Sequence, residues 1–347
     1  MSERILEVRD LAVSFDTYAG EVQAVRGIHF HLDRGETLAI VGESGCGKSV
    51  TVQTIMKLLP SPPARIKSGS ILYQGEELVG KSDKEMENYR GKEFSMIFQD
   101  SMTSLNPTMR VGKQLCEGIR KHQRIGAEEA KAVAVNMLRE VGLPNPEKAF
   151  RQYPHTLSGG MRQRVMIAMA IACSPKILFA DEPTTALDVT MQAQILDLMN
   201  QLKADTGAAI ILITHDLGVV AQMADRISVM YAGEIVESGT AAEVFYNPCH
   251  PYTWGLLGSM PSIAGSSRQA KEELLSIPGT PPDLFAPPAG CAFAARCSYC
   301  MKACLKADPP EFTADDGHMA RCWLLDGRAA PVTPPVGRKA PAGKEGA

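Results

Sequence analysis

The run Leu157-Ser158-Gly159-Gly160-Met161-Arg162-Gln163-Arg164 sits between a glycine-rich loop upstream and a strand ending in two carboxylates downstream. That order restricts the fold more than any other feature of the 347 residues. Upstream, Gly42-Glu43-Ser44-Gly45-Cys46-Gly47-Lys48-Ser49 has the Gly-x-x-x-x-Gly-Lys-Ser spacing. In such a loop, backbone N–H groups and a helix N-terminus cradle phosphates, the lysine neutralises their outer oxygens and the final hydroxyl ligates Mg²⁺. Downstream, Lys176-Ile177-Leu178-Phe179-Ala180 reads as a buried strand that delivers Asp181 and Glu182 at its C-terminal end, where a doubly wound sheet presents ligands. Asp181 suits Mg²⁺ held through water. Glu182 suits a general base that polarises an attacking water. Ser158-Gly159-Gly160 is a second cradle, because two glycines admit close approach of a phosphate and the following helix N-terminus adds donors and positive potential. A chain with one cradle has no need of a second for the same nucleotide.

Around these motifs the pattern is α/β. Alternating apolar residues in Leu6–Val13 and Val22–Leu32 predict an antiparallel layer, and Thr37–Val41 predicts a buried strand feeding the loop, with a helix from Lys48. Gly69–Leu72 and Ser95–Phe98 predict further strands. Residues 100–163 read as a mostly helical lobe, with Ala127–Val141 showing helical spacing. Helix Thr190–Ala204, strand Ala208–Thr214, helix Leu217–Ala224 and strand Arg226–Tyr231 restore the alternation of a parallel sheet. Pro248, Pro251 and Pro261 mark a change of style, and residues 326–347 lack the apolar density to fold. A formal charge of −3 argues against a general polyanion binder, so no nucleic-acid partner is expected. Val165–Cys173, the longest apolar stretch, is too short to span a bilayer and is expected in the core. Met1–Glu7 shows no signal-peptide pattern, which implies a cytosolic protein that meets membranes through partners.

The three motifs in this order resemble the ATP-binding-cassette family over about residues 5–245. The resemblance implies a RecA-like phosphate-loop core in residues 1–247. It also implies that Ser158, Gly159, Gly160 and Gln163, with Asp188 of the D-loop, serve the ATP bound by an opposing subunit, so that two composite sites form head to tail. It assigns Gln99 to Mg²⁺ and the water and His215 to the terminal phosphate, adds Val50 to the nucleotide shell, and puts Phe15 on adenine, with Tyr18 as the other candidate for that stacking place. Ser95–Pro107, Asp181–Thr190 and His250-Pro251-Tyr252-Thr253 are similar to the peptide-import subfamily, in its D-type subunits from bacterial oligopeptide and dipeptide permeases. Ser101 and Cys46 depart from that subfamily, which usually carries proline and serine there. The implied partners are an F-type ATPase subunit, two membrane permeases and an extracytoplasmic peptide-binding protein, at the cytoplasmic face of the inner membrane. Importers of nickel, glutathione or glycosides share the same extension and remain alternatives. A non-transport cassette ATPase is disfavoured because the 49–157 interval has no sustained heptads and only one cassette is present. Met102, Leu105, Val111 and Leu115 either line the groove for a permease helix or pack inside the lobe.

Of nine cysteines, five fall within Cys291–Cys322, in a chain without an export signal, which suggests metal ligation more than disulfides. Four thiolates could stabilise a small irregular extension, residues 248–325, that lacks a sizeable core. The subfamily resemblance implies a [4Fe-4S] cluster on Cys291, Cys297, Cys304 and Cys322; spacing alone equally permits zinc, with Cys297 and Cys300 as a Cys-x-x-Cys pair, or buried unliganded thiols. Cys46, at a helix N-terminus beside Lys48, is expected to carry a depressed pKa and a reactive thiol, the alternative being an inert small residue.

Overall fold

The computed structural model describes residues 3–100, 104–185, 187–260, 277–315 and 317–336. Ser101, Met102, Ala186, Pro261 and the end of the expected tail, 337–347, lie outside the described residues. The strands are β1 (Arg4–Thr17), β2 (Gly20–Asp33), β3 (Thr37–Val41), β4 (Ala64–Tyr73), β5 (Glu76–Glu77), β6 (Phe94–Ile97), β7 (Ile177–Asp181), β8 (Ala209–Thr214), β9 (Arg226–Tyr231), β10 (Glu234–Thr240), β11 (Phe312–Asp315) and β12 (His318–Ala320). They form two sheets, a four-stranded antiparallel layer in the order β2-β1-β4-β5 and an eight-stranded sheet in the order β11-β12-β10-β9-β3-β8-β7-β6. From β9 to β6 the second sheet is parallel, and β3, β7 and β8 are buried along their whole length, as parallel strands covered on both faces must be.

Side-chain alternation along these strands divides the core. Ile177 and Phe179 of β7, with Ile211 and Ile213 of β8, pack with Leu6, Val13 and Phe30 of the antiparallel layer. Their neighbours Leu178, Ala180, Ile210 and Leu212 point to the opposite face, against the helical lobe. The lobe's helices are Val111–Gln123, Ala127–Glu140, Pro146–Arg151 and Gly159–Ile171. Val165–Ala172 lies in that core as expected. Leu105, Val111 and Leu115 are 2%, 0% and 1% exposed, so they are lobe core and not a docking surface. Among the described residues no helix is long and apolar enough to cross a membrane.

Beyond β9 the sequence reading was incomplete. It missed β10, the short helices Ala241–Tyr246 and Pro251–Gly258, and the pairing of β12 with β10 at Ala320–Glu237 and Met319–Ser238. The extension also shares a core with the main sheet: Tyr252, Ala292 and Phe293 pack with Val41, Val229 and Tyr231. Burying a side chain such as Phe293 contributes about 1.5–3 kcal/mol. At the seam Glu237 and His318 are both fully buried, joined by a 2.9 Å contact between Oε1 and Nε2. The same carboxylate accepts the backbone N–H groups of Cys249 at 2.8 Å and His250 at 2.9 Å. Burial alone would push the His318 imidazole down, but hydrogen bonds with Cys249 and Glu237 outweigh it and raise the pKa to about 10.

A raised pKa adds stability that is fully present below the ordinary histidine value and disappears as pH rises through the folded one. His318→Ala is therefore expected to cost about 3–5 kcal/mol near pH 6.5, since it leaves a buried carboxylate unpaired. In urea unfolding the gap between His318→Ala and the parent should narrow as pH approaches 10; a gap independent of pH would contradict the charged pair.

Candidate functional site

The glycine-rich loop leaves β3 and is pressed between two main-chain walls. A Cβ on Gly42, whose φ is +155°, would lie 2.1 Å from the Met230 carbonyl, and one on Gly47, φ +103°, would lie 2.3 Å from the Ala24 carbonyl. Only glycine fits both the space and the conformation. Gly47 then caps the helix Lys48–Ile55. Lys48 is buried, and its ammonium donates to the carbonyls of Gly42 at 2.8 Å and Glu43 at 2.9 Å, so the cation is folded back onto its own loop. Ser49 and Val50 are half-buried, and Ser44 and Gly45 face solvent.

Asp181 ends β7, 3% exposed, and accepts a 3.0 Å hydrogen bond from the Ser49 hydroxyl. Burial raises the Asp181 pKa, with the Ser49 bond pulling the other way. An oxygen pair of this kind, one member a buried carboxylate, fits a hard cation. The next residue, Glu182, adopts φ +47°, a left-handed conformation that costs a non-glycine residue on the order of 1–3 kcal/mol. Its carboxylate is met from three sides: Gln99 Nε2 donates at 3.0 Å, the Thr185 hydroxyl donates at 3.0 Å, and His215 Nδ1 lies 3.1 Å away. Burial raises its pKa, but the hydrogen bonds from His215, Thr185 and Gln99 prevail and hold it below the usual carboxylate range. Thr185 was missed from the sequence. Its signal is a hydroxyl three residues after the carboxylate, in Asp181-Glu182-Pro183-Thr184-Thr185.

In the second cradle Ser158 caps the helix Gly159–Ile171 by accepting the Met161 N–H at 3.3 Å, and a Cβ on Gly159 would meet nothing within 4 Å, so this turn is open. Gln163 behaves otherwise. It is 1% exposed, turned inward, and donates to the Pro183 carbonyl at 2.7 Å, tying this helix to the turn after Glu182. Asp188 caps the helix Val189–Thr206 through the Met191 N–H at 3.0 Å. Phe15 is half-buried on β1, paired with Val22 and Ala64, while Tyr18 is fully exposed.

In the extension, Cys304 accepts the backbone N–H of Met301 at sulfur, at 3.4 Å. Burial drives the thiols of Cys291 and Cys322 to about 12 and that of Cys297 to about 11, with neighbouring thiols adding to the rise. Cys300 is exposed, and its thiol donates to the Met301 carbonyl. Among the described residues, the one group of three ligand-type atoms within 4.8 Å of one another is Glu237, Cys249 and His318. No three of the extension thiols approach that closely.

The chain matches the ABC transporter family over residues 25–185 and the family described as oligopeptide/dipeptide transporter, C-terminal region, over residues 236–304. It is 62% identical over 337 residues to the oligopeptide transport ATP-binding protein OppD of Bacillus subtilis, spanning 97% of this chain and 93% of that relative. The chain belongs to the ABC transporter family. A second ABC relative, the dipeptide transport ATP-binding protein DppD of the same organism, is 55% identical over 327 residues, spanning 94% and 96%. Among solved ABC structures, a dimeric cassette in a post-hydrolysis state with ADP and phosphate matches with a TM-score of 0.63 and 25% identity, over 68% of this chain and 98% of that one. As an ABC ATPase the chain binds and hydrolyses ATP.

Cys46 corrects one expectation drawn from the sequence. It is 5% exposed, and burial raises its pKa despite Lys48 at 3.8 Å and the helix N-terminus, because desolvating a thiolate outweighs both attractions. In this ABC ATPase, iodoacetamide at about pH 8 should therefore label Cys46 at least about tenfold more slowly in the folded chain than in the urea-unfolded chain, as read by peptide mass mapping. Equal rates would restore the reactive thiol.

Proposed function

We propose that this chain is the D-type ATPase subunit of a bacterial importer of oligopeptides or dipeptides. It works at the cytoplasmic face of the inner membrane with an F-type ATPase subunit and two permeases that receive cargo from an extracytoplasmic binding protein. The observation that carries the hydrolytic part is the Glu182 carboxylate, kept ionised by Gln99, Thr185 and His215 beside the Asp181–Ser49 pair. Lys48, now bonded to Gly42 and Glu43, exchanges those carbonyls for phosphate oxygens when nucleotide enters. Ser49 and Asp181, with Gln99, would hold Mg²⁺, which supplies charge neutralisation on the phosphates. Glu182 takes a proton from the attacking water as its oxygen bonds to the terminal phosphorus and ADP leaves, and His215 steadies the terminal phosphate. The open Ser158–Gly160 turn, with Asp188, serves the ATP of the partner ATPase, a reading supported by the dimeric form of the solved cassette. Peptide cargo is supported by the names borne by both Bacillus relatives and by the C-terminal family.

Glu182→Gln should leave MgATP affinity within about twofold while slowing hydrolysis in the assembled transporter by about a hundredfold or more. Hydrolysis at the wild-type rate at the composite site that contains the substitution would remove the base assignment.

We further propose that Cys291, Cys297, Cys304 and Cys322 hold a [4Fe-4S] cluster. The support is that the four thiols are wholly or partly buried in one short irregular segment and that Cys304 accepts a backbone N–H, as cluster thiolates do, whereas Cys300 is exposed and donates. A single tetrahedral zinc, with bonds of about 2.3 Å, needs sulfurs about 3.8 Å apart, a spacing no three of these thiols show among the described residues. Anaerobic purification should give a brown chain with about four iron atoms, lost in Cys304→Ser and kept in Cys300→Ser. A colourless chain with about one zinc would favour zinc, and absence of both metals after reconstitution would end the proposal.

A further inference from the structure

Glu43, the second residue of the phosphate loop, is gripped by the extension. Arg296 engages its carboxylate through both terminal nitrogens, at 2.6 Å to Oε2 and 2.9 Å to Oε1. The rest of that guanidinium is also committed: Nε donates to the Pro278 carbonyl at 2.8 Å, and the terminal nitrogens reach the Ile277 carbonyl at 3.4 Å and the Tyr231 hydroxyl at 3.3 Å. The Arg296 side chain is 5% exposed. A second extension residue takes the backbone of Glu43. The Tyr252 hydroxyl accepts the Glu43 N–H at 2.8 Å, and its fully buried ring packs on Tyr231, with centroids 4.6 Å apart, and on Phe293 at 5.4 Å. Every polar group of Glu43 is thereby assigned. Its amide and both carboxylate oxygens go to the extension, and its carbonyl goes to Lys48.

This arrangement is more specific than anchoring the extension requires. Apolar packing of Phe293 and Tyr252 already docks it, and a buried guanidinium is a poor source of net stability because its desolvation offsets the Coulombic gain. A bidentate fork does supply direction, since the planar guanidinium fixes the carboxylate it meets. Here the carboxylate belongs to the loop that cradles phosphate, five residues before Lys48, and the arginine immediately precedes Cys297.

We infer that Arg296 is a positioning residue of the ATP site, fixing the entrance of the phosphate loop through Glu43 with Tyr252 as its backbone counterpart. Through Cys297 it also transmits the condition of the cysteine centre to that loop, a clause that rests on the metal proposal above. An extension that loses its centre releases Arg296, and the loop entrance loosens.

The test uses the full-length chain, purified anaerobically and carrying Glu182→Gln so that ATP is not consumed, with MgATP affinity measured by equilibrium titration. Arg296→Lys and Glu43→Gln should each weaken MgATP by about 5–20-fold, and the double variant should fall no further than the weaker single one, because both remove the same contact. Additive losses, or an unchanged affinity in Glu43→Gln, would overturn the inference. Glu43→Gln keeps the side-chain volume and leaves every cysteine in place, so it serves if Arg296→Lys fails to fold. In the assembled transporter with Glu182 intact, Glu43→Gln should raise KM for ATP while kcat changes less than about threefold; a loss confined to kcat would also overturn it. Stripping the metal centre with a chelator, followed by removal of the chelator before MgATP is added, should weaken MgATP binding in the parent and add nothing in Glu43→Gln. A parent indifferent to chelation removes the transmission clause. A chain that never carries metal removes the metal proposal, while the coupling between Glu43 and Arg296 is still read from the double variant.

Discussion

One carboxylate organises the C-terminal end of the parallel strands. Glu182 collects hydrogen bonds from Gln99, Thr185 and His215, and these three residues follow the C-terminal ends of β6, β7 and β8, which are neighbours in the sheet. The geometry therefore depends on strand order before it depends on any local motif. A register slip of one residue in β8, which is buried on both faces, would exchange the side chains that meet the antiparallel layer and the helical lobe and carry His215 away. The strain at Glu182, with φ +47°, belongs to the same constraint. The chain turns sharply there so that Asp181 faces Ser49 while Glu182 faces the other strand ends, and the three hydrogen bonds hold a conformation that a free chain would relax.

The phosphate loop, both acidic residues, the open serine–glycine turn and the strands β3 and β9 were legible in the sequence because each rests on local chemistry: glycine spacing, a buried apolar run, a helix cap. The extension was not. Its strands β11 and β12 are short and find their place only because β12 pairs with β10 and β11 with β12, and Glu237 of β10 interrupts the apolar pattern that would have announced a central strand. Cys46 failed for a different reason, since a thiol's pKa depends on how much water the fold removes, and sequence neighbours report only the charges nearby. Gln163, next to the second cradle in sequence, turned inward because a helix sends successive side chains to different faces. The contact between Glu43 and Arg296 spans 253 residues and carries no sequence signal at all.

Three regions of core, divided by alternation along the central strands, give the molecule its division of labour. The antiparallel layer stiffens one face, the helical lobe covers the other, and the extension packs beside β3 and β9, next to the strand that feeds the phosphate loop. Each neighbouring unit thus reaches the glycine-rich loop or the turn after Glu182 through main-chain or buried polar contacts: Ala24 of the antiparallel layer against Gly47, Gln163 of the lobe to Pro183, Arg296 and Tyr252 of the extension to Glu43.

The pairing of β12 with β10 has a consequence during synthesis. The ribosome delivers His318 81 residues after Glu237, and until residues 318–320 arrive β10 presents an open edge with Glu237 lacking its histidine. An unpaired strand edge of this kind is a template for other chains. A chain that stops short of β12 therefore keeps its phosphate loop and acidic strand but also a sticky edge, so that incomplete copies are drawn to one another before they can work.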